Sequence, residues 1–431
     1  MTDFLAWMMG NGTGPVAAGR LSSPLGTGAA VTPKAAAAAP YGGAPPVGQW
    51  AFAGVAVTAF GGPLALAALY APSIAGGAAS SAGLAMVAAA VAFGLPLAVW
   101  LGYARHVSSS GGLYAFTEAA AGPRVALAQA SVWALSYLLY LVYTTAQIVY
   151  DTLPAVLPGE VRYQSLLEVV IPVVLAGVMI AGRRAALAVI GLIAAGQLAL
   201  AAALSGVTLA NVPLPASSFG GSAPAGSVAI ASGQTALLYI CGSLPFFLGG
   251  ELRGDLRQRL RTTRRGVLGA YLATAAVIIA AVAPLAADPA LTHGDIPGMA
   301  VAQQFAGHGF ALAVGIGVVV SIAGVMLVEY LALSRLATAV TGWPLRPLLI
   351  GIGVVMVAAA PVLLIHPDRM YDDLTTVSLF ALWLSQLIPF ALYPRFVARR
   401  GGRLLPAVIL AAAASALAVY GLWTTIQTSS I

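Results

Sequence analysis

The chain has 431 residues, 60% of them hydrophobic and 8% charged, with a formal net charge of +7. A water-soluble domain carries roughly 25% charged residues, so this composition excludes one and describes a chain solvated by lipid, long enough for about eleven or twelve spans. The single cysteine, Cys241, excludes an internal disulfide, and the arginines sit in short stretches beside apolar runs, as topology signals and not as a nucleic-acid-binding face.

Residues 1–48 are rich in Ala, Gly, Pro and Ser, with Asp3, Arg20 and Lys34 the only charges. Such a composition cannot bury a core and predicts a flexible tail. The patch Phe4, Leu5, Trp7, Met8 is too short, and lacks the basic flank, for a cleavable signal peptide. The first span is predicted over about 50–74 and the second over 82–103. A short re-entry at 111–116 precedes the third, 125–150. The fourth follows at 165–181, the fifth at 185–209, the sixth at 230–252 and the seventh at 266–286. The eighth is predicted at 311–340, the ninth at 347–365, the tenth at 373–393 and the eleventh at 404–425.

Placing the amino terminus in the cytoplasm can be checked by counting. The inner segments then hold Arg20, Lys34, Arg105, Arg124, Arg183, Arg184, Arg253, Arg257, Arg259, Arg261, Arg264, Arg265, Arg335, Arg346, Arg395, Arg399, Arg400 and Arg403, which is 18 of the 20 basic residues. Only Arg162 and Arg369 fall outside, whereas most acidic residues lie there. A one-span error would scramble this split, so the count supports both topology and orientation.

The stretch 232–265 organises the rest. It starts as a membrane helix, is interrupted at Gly242, Ser243 and Pro245, resumes through Phe246–Leu248, and ends in the arginine run. A glycine and a proline so close break the i→i−4 ladder, and freed backbone groups in hydrocarbon must be satisfied by something, a solute or ion included. The first span carries Phe60-Gly61-Gly62-Pro63 at the matching place. Interruptions five spans apart, with an odd number of spans per half, are the pattern of an inverted repeat of the kind in which secondary transporters build their sites. The organisation predicted is a cytoplasmic tail (1–48), a first five-helix repeat (49–209), a second (210–395), and a peripheral eleventh helix with a short end (396–431). The fold class is an all-α polytopic membrane protein with helices 1 and 6 broken.

Broken helices expose amides, which favour an anion, and carbonyls, which favour a cation, so two adjacent breaks make a receptor for a zwitterion. The near-absence of charge in spans one, three, six and ten fits a neutral or zwitterionic solute. In the third span Trp133, Tyr137 and Tyr140 fall at i, i+4 and i+7, either as the wall of a site or as packing. The sixth offers Tyr239, Ser243, Phe246 and Phe247, and the tenth Trp383, Ser385 and Gln386. The substrate-binding candidates are Gly61, Gly62, Tyr137, Tyr239, Gly242, Ser243, Phe246 and Trp383. Glu329, six residues before Arg335, is either a functional intramembrane carboxylate that carries a proton or close enough to the inner end to reach water. Glu251 either anchors an inner gate by pairing with a loop arginine or is solvated. Ser321 either packs or lends its hydroxyl to a sodium ion shared with first-span carbonyls. His106 lies on the inner side and His293, His308 and His366 near outer loops, without metal-ligand spacing. No nucleophile–base pair, P-loop or dinucleotide fingerprint occurs, so neither an enzyme nor an ATP-driven pump is expected, and no cofactor beyond Na+ or H+ as coupling ion.

Three stretches carry a family resemblance. They are Ser110-Gly111-Gly112-Leu113-Tyr114-Ala115-Phe116 with Gly122-Pro123 and Trp133; Tyr239 to Glu251 with the basic run behind it; and Ser334-Arg335 with Gly342 and Pro344. In this order, over about residues 50–395, they resemble the amino acid–polyamine–organocation (APC) transporter superfamily. The resemblance implies the LeuT-type five-plus-five inverted repeat, alternating access, and a solute seated between broken helices 1 and 6 and lined by 3, 8 and 10. The chain departs from that pattern with Gly61-Gly62-Pro63 where the family has a GxG-type turn. It has Gln197 but no lysine in the fifth span, no prolines in the arginine run, and no twelfth helix. The function expected is secondary active transport of amino acids or related small amines across the cytoplasmic membrane, coupled to an ion gradient or to exchange. The other reading is a polytopic sensor that binds a solute without moving it. The partners expected are an amino acid and the lipid bilayer, not nucleic acid, and the oligomeric state is not specified by the sequence.

Overall fold

The computed structural model describes residues 46–363 and 367–428, nearly all of them helical, with no β-strand among them. Among the described residues nine helical stretches are long and apolar enough to cross a bilayer, and one of them, Gln49–Tyr103, runs for 55 residues. At 1.5 Å per residue a single rod of that length would be more than twice the roughly 30 Å bilayer core. Ala78 is non-helical (φ −115°, ψ 15°) and divides it into two crossings. With the shorter apolar helix Gln164–Ile180 the total is eleven: nine stretches, one of them double, plus one. Asp3, Arg20 and Lys34 of the predicted tail, and His366, lie outside the described residues. Val47, read from sequence as tail, belongs to the fold. Its N–H donates to the Glu251 carbonyl at 2.8 Å and its carbonyl accepts from Arg253 N–H at 3.1 Å, forming an isolated parallel bridge with Leu252.

The first span is helical over Gln49–Ala59 and resumes at Pro63. Between them Gly61 (φ 75°) and Gly62 (φ 68°) take backbone conformations that a side chain disfavours. Pro63 then opens the second half, its missing N–H falling where a helix start leaves one unpaired anyway. A π-helical turn at Leu66–Tyr70 and helix Ala71–Ala75 complete the crossing. The sixth span is α-helical only over Ala225–Leu237, and after Leu238 and Tyr239 a 3-10 helix runs through Ile240–Glu251. The break therefore falls some four residues earlier than the glycine–proline pair suggests. A 3-10 helix makes i→i+3 bonds, Gly242 N–H to the Tyr239 carbonyl at 2.9 Å among them, and carries Pro245 in its interior. Runs of 3-10 helix beyond three or four residues are uncommon and mark hinges or strain, and this one has 12.

Spans one and six thus occupy matching places in two five-helix halves, with the eleventh, Leu404–Thr428, packed on the tenth. The first span sits among the fifth (Arg183–Asn211), sixth, seventh (Leu256–Val282) and eighth (His308–Thr341), and the third (Pro123–Ala146) packs along the tenth (Pro367–Ala398). The arginines of several loops gather at one end of the bundle. There Glu251 binds both Arg183 and Arg335.

Candidate functional site

The two breaks face each other. A Cβ built on Gly61 would lie 2.9 Å from the Leu238 carbonyl at the end of the α-helical part of span six. A Cβ on Gly242 would run into the Phe60 ring at the break of span one, and one on Gly62 would run into Ser321 of span eight. Glycine at all three places is what lets the broken segments approach this closely, and at Gly61 and Gly62 the positive φ requires it as well.

On one side of this contact lies a polar centre. The carboxylate of Glu329 has 0% exposure. The Cys241 thiol donates to its Oε1 at 3.5 Å, while its Oε2 has no hydrogen-bond partner among the described residues. The Tyr137 hydroxyl stands beside Cys241, Ser243 and Glu329. Tyr137 stacks on Trp133 with ring centroids 4.1 Å apart, and Trp133 on Phe247 at 4.6 Å. Tyr140 and Tyr143 continue this column along the third span. An unpaired carboxylate oxygen in so apolar an interior is costly, and the cost is relieved only by a proton or by a cationic or hydrogen-bond-donating guest.

A second cluster lies on the other side. Tyr239 packs on Phe93 (5.5 Å) and Tyr271 (5.6 Å), which also hold Phe60. Phe246 packs on Trp100 and Phe116 nearer the basic end. Trp383 points away from the centre, because a Cβ at Gly421 of the eleventh span would run into its indole. The substrate candidates therefore divide. Tyr137, Ser243, Gly61, Gly62 and Gly242 converge on the breaks, Tyr239 and Phe246 line the aromatic cluster behind span six, and Trp383 faces the periphery. From the tenth span, Ser378 instead donates to the Ser136 carbonyl (2.8 Å), and the Ser385 carbonyl accepts from Gln129 (3.3 Å).

Ser321 accepts from Ala65 N–H at 3.3 Å and donates to Gln197 Oε1, while Gln197 Nε2 donates to Thr58 at 2.9 Å. The neutral amide of Gln197 thus bridges Thr58 of span one and Ser321 of span eight. The oxygens of Thr58, Gln197 and Ser321 are of the hard type that sodium accepts, but in this arrangement they satisfy one another.

Glu251 is 6% exposed and accepts from Arg183 Nη1 at 3.0 Å and from Arg335 Nε at 3.2 Å, tying the starts and ends of spans five, six and eight. Ser108 donates to the Gly249 carbonyl at 2.8 Å and adds the loop after span two to this closure. Sequence reasoning passed over Cys241 and Thr58 as site residues. Each is a small polar side chain one to four residues from a break glycine, which is the signal that would have found them.

No protein-family model and no curated protein matches the chain. Solved structures do match. One is the manganese transporter of Eremococcus coleocola in complex with an aromatic bis-isothiourea substituted compound, at TM-score 0.59 and 12% identity, over 88% of this chain and 86% of that one. Another is Mhp1, a nucleobase-cation-symport-1 family transporter in a closed conformation with bromovinylhydantoin bound, at TM-score 0.56 and 15% identity, over 89% of this chain and 93% of that one. At such identities the likeness is one of fold. This chain has the LeuT-type transporter fold, an all-α inverted repeat with helices 1 and 6 broken, and is a multi-pass membrane protein.

Proposed function

We propose that this chain is a secondary active transporter of amino acids or related small amines, of the kind gathered in the APC superfamily, exchanging its passenger for protons at Glu329 by alternating access. The observation that supports the reading is the Glu329 Oε2, buried beside the 3-10 segment of span six with no hydrogen-bond partner among the described residues. A buried carboxylate has to be neutralised in every state that the carrier visits. The ammonium group of the passenger does this in the loaded state and a proton in the empty one. The amine therefore travels one way and the proton the other. Among the described residues no three His, Cys, Asp or Glu side chains gather, so the donor set suits an ammonium group better than a metal ion such as manganese.

In this reading the basic end faces the cytoplasm. The bonds of Glu251 to Arg183 and Arg335 are the closed inner gate, and breaking them opens the path to the breaks. The test is uptake of a labelled amino-acid panel into proteoliposomes with imposed pH gradients. An acidic interior accelerates uptake by the wild type and not by Glu329→Gln. Uptake indifferent to the gradient removes the exchange. Binding without any uptake favours a sensor.

A further inference from the structure

A hollow of about 780 Å³ opens at the basic end between the start of the first span and the start of the seventh. Its walls include Trp50, Phe52, Arg257, Arg261 and Arg265, with Asp255 at the rim. The three arginines recur at i, i+4 and i+8 on one helical face, all exposed, and none of them forms an ion pair among the described residues. Like charges four residues apart repel. They also stand in the first turns of a 27-residue helix, where the macrodipole opposes positive charge. Asp255, the one acidic wall residue, already caps that helix by accepting from Gln258 N–H at 2.7 Å. Arg259, off this face, is tied instead to the Gly250 carbonyl.

Orientation by positive charge needs arginines at this end, but it does not need them stacked around a cavity. The shape adds a second requirement. Trp50 is 82% exposed and lines the hollow beside the cations. An indole of that kind settles at the level of lipid headgroups. A Cβ at Gly266 would lie 2.7 Å from the Phe52 ring, so spans one and seven approach closely at the hollow.

We propose that this hollow binds the phosphate group of an anionic phospholipid, with Arg257, Arg261 and Arg265 on the phosphate and Trp50 against the acyl chains. Basic pockets between helices at the cytoplasmic face hold such headgroups through charge, and arginine matches phosphate through paired N–H donors. The site begins at Gln49 and Trp50, directly after the strap formed by Val47 and Leu252.

The full chain, purified in detergent, is titrated with phosphatidylcholine, phosphatidylglycerol, cardiolipin and inorganic phosphate and followed by native mass spectrometry. Arg257→Gln/Arg261→Gln is compared with Arg346→Gln/Arg403→Gln, which removes equal charge from other loops. The wild type and the control pair retain phosphatidylglycerol and cardiolipin over phosphatidylcholine, and the Arg257/Arg261 pair loses roughly tenfold or more in affinity. If that pair unfolds, Arg265→Gln alone shows a smaller loss of the same kind. Equal losses in both pairs overturn the site and leave a general surface charge. Inorganic phosphate bound as tightly as lipid overturns the lipid assignment in favour of a free anion.

Discussion

Two buried carboxylates in one bundle have been given opposite surroundings. Glu251, at the end of the sixth span, is held by two arginines, one of them only 2% exposed, and both its oxygens are used. Glu329, a few turns up the eighth span, has the thiol of Cys241 on one oxygen and, among the described residues, no partner on the other. A protein can bury a charge either by answering it internally or by leaving the answer to something that arrives. The first solution makes a fastener and the second a receptor. The difference follows from what the neighbouring helices bring. Arg183 and Arg335 reach Glu251 from the ends of spans five and eight, while the third and sixth spans present Glu329 with only phenols, a thiol and a hydroxyl.

The sharpest way to break this contrast is Glu329→Gln. Exchange should fall by roughly two orders of magnitude, the equivalent of the ~3 kcal/mol carried by a buried charge-assisted bond, while thermal unfolding in detergent is unchanged or shifts upward. Transport at wild-type rate with a wild-type pH profile would remove the carboxylate from the site. Next in size is Arg335→Met. It leaves Glu251 half-answered in a buried place and should cost about 3–5 kcal/mol of stability in denaturant titration. The double variant Glu251→Leu/Arg335→Met should recover most of that loss, since it removes both charges together. If it recovers nothing, the pair is not what holds this end closed.

These two sites were not equally legible in the sequence. The Gly61-Gly62-Pro63 break reads directly, because two glycines and a proline admit few other conformations in a membrane helix. Glu251 reads in part, as an acid at the edge of an arginine run. The depth of Glu329 does not. Six residues of helix rise only about 9 Å, so Arg335 looked like a marker of the water interface close by. Glu251 instead draws Arg335 into the bundle, and the 34-residue eighth span carries Glu329 to the centre. The same dependence on partners hid the orientation of Trp383, which is set by Gly421 more than thirty residues away, and the early end of the α-helix in span six. Periodicity and composition fix which segments cross. Which face each crossing turns inward is decided by close approaches between helices, and glycines report these only once the partner is known.

Ser321→Ala should have a smaller effect. It leaves Ala65 N–H and Gln197 Oε1 without their shared hydroxyl and should cost about 1–3 kcal/mol in stability. Transport is expected to proceed equally in sodium and in choline buffer, both before and after the substitution. A sodium requirement abolished by Ser321→Ala would show that Gln197 yields to an ion and that Glu329 is not the coupling group.

The smallest expected effect tests whether the basic end has spare capacity for charge beyond the pair at Glu251. His106 follows the second span, outside the membrane. Partial burial lowers its pKa below the usual histidine value, and Arg400, Arg105 and Arg264 add to the shift. Its ring packs edge-on against Phe396 at 6.0 Å. The neutral form is thus favoured when folded, while the unfolded chain takes up its proton near pH 6.5. Below that pH the unfolded state binds more protons, so stability falls as pH drops from there through the lower folded value, and nothing changes above it. His106→Gln should remove this slope below about pH 6.5 without altering the unfolding temperature at pH 8. If the slope survives the substitution, His106 is not the group behind the acid sensitivity at this end.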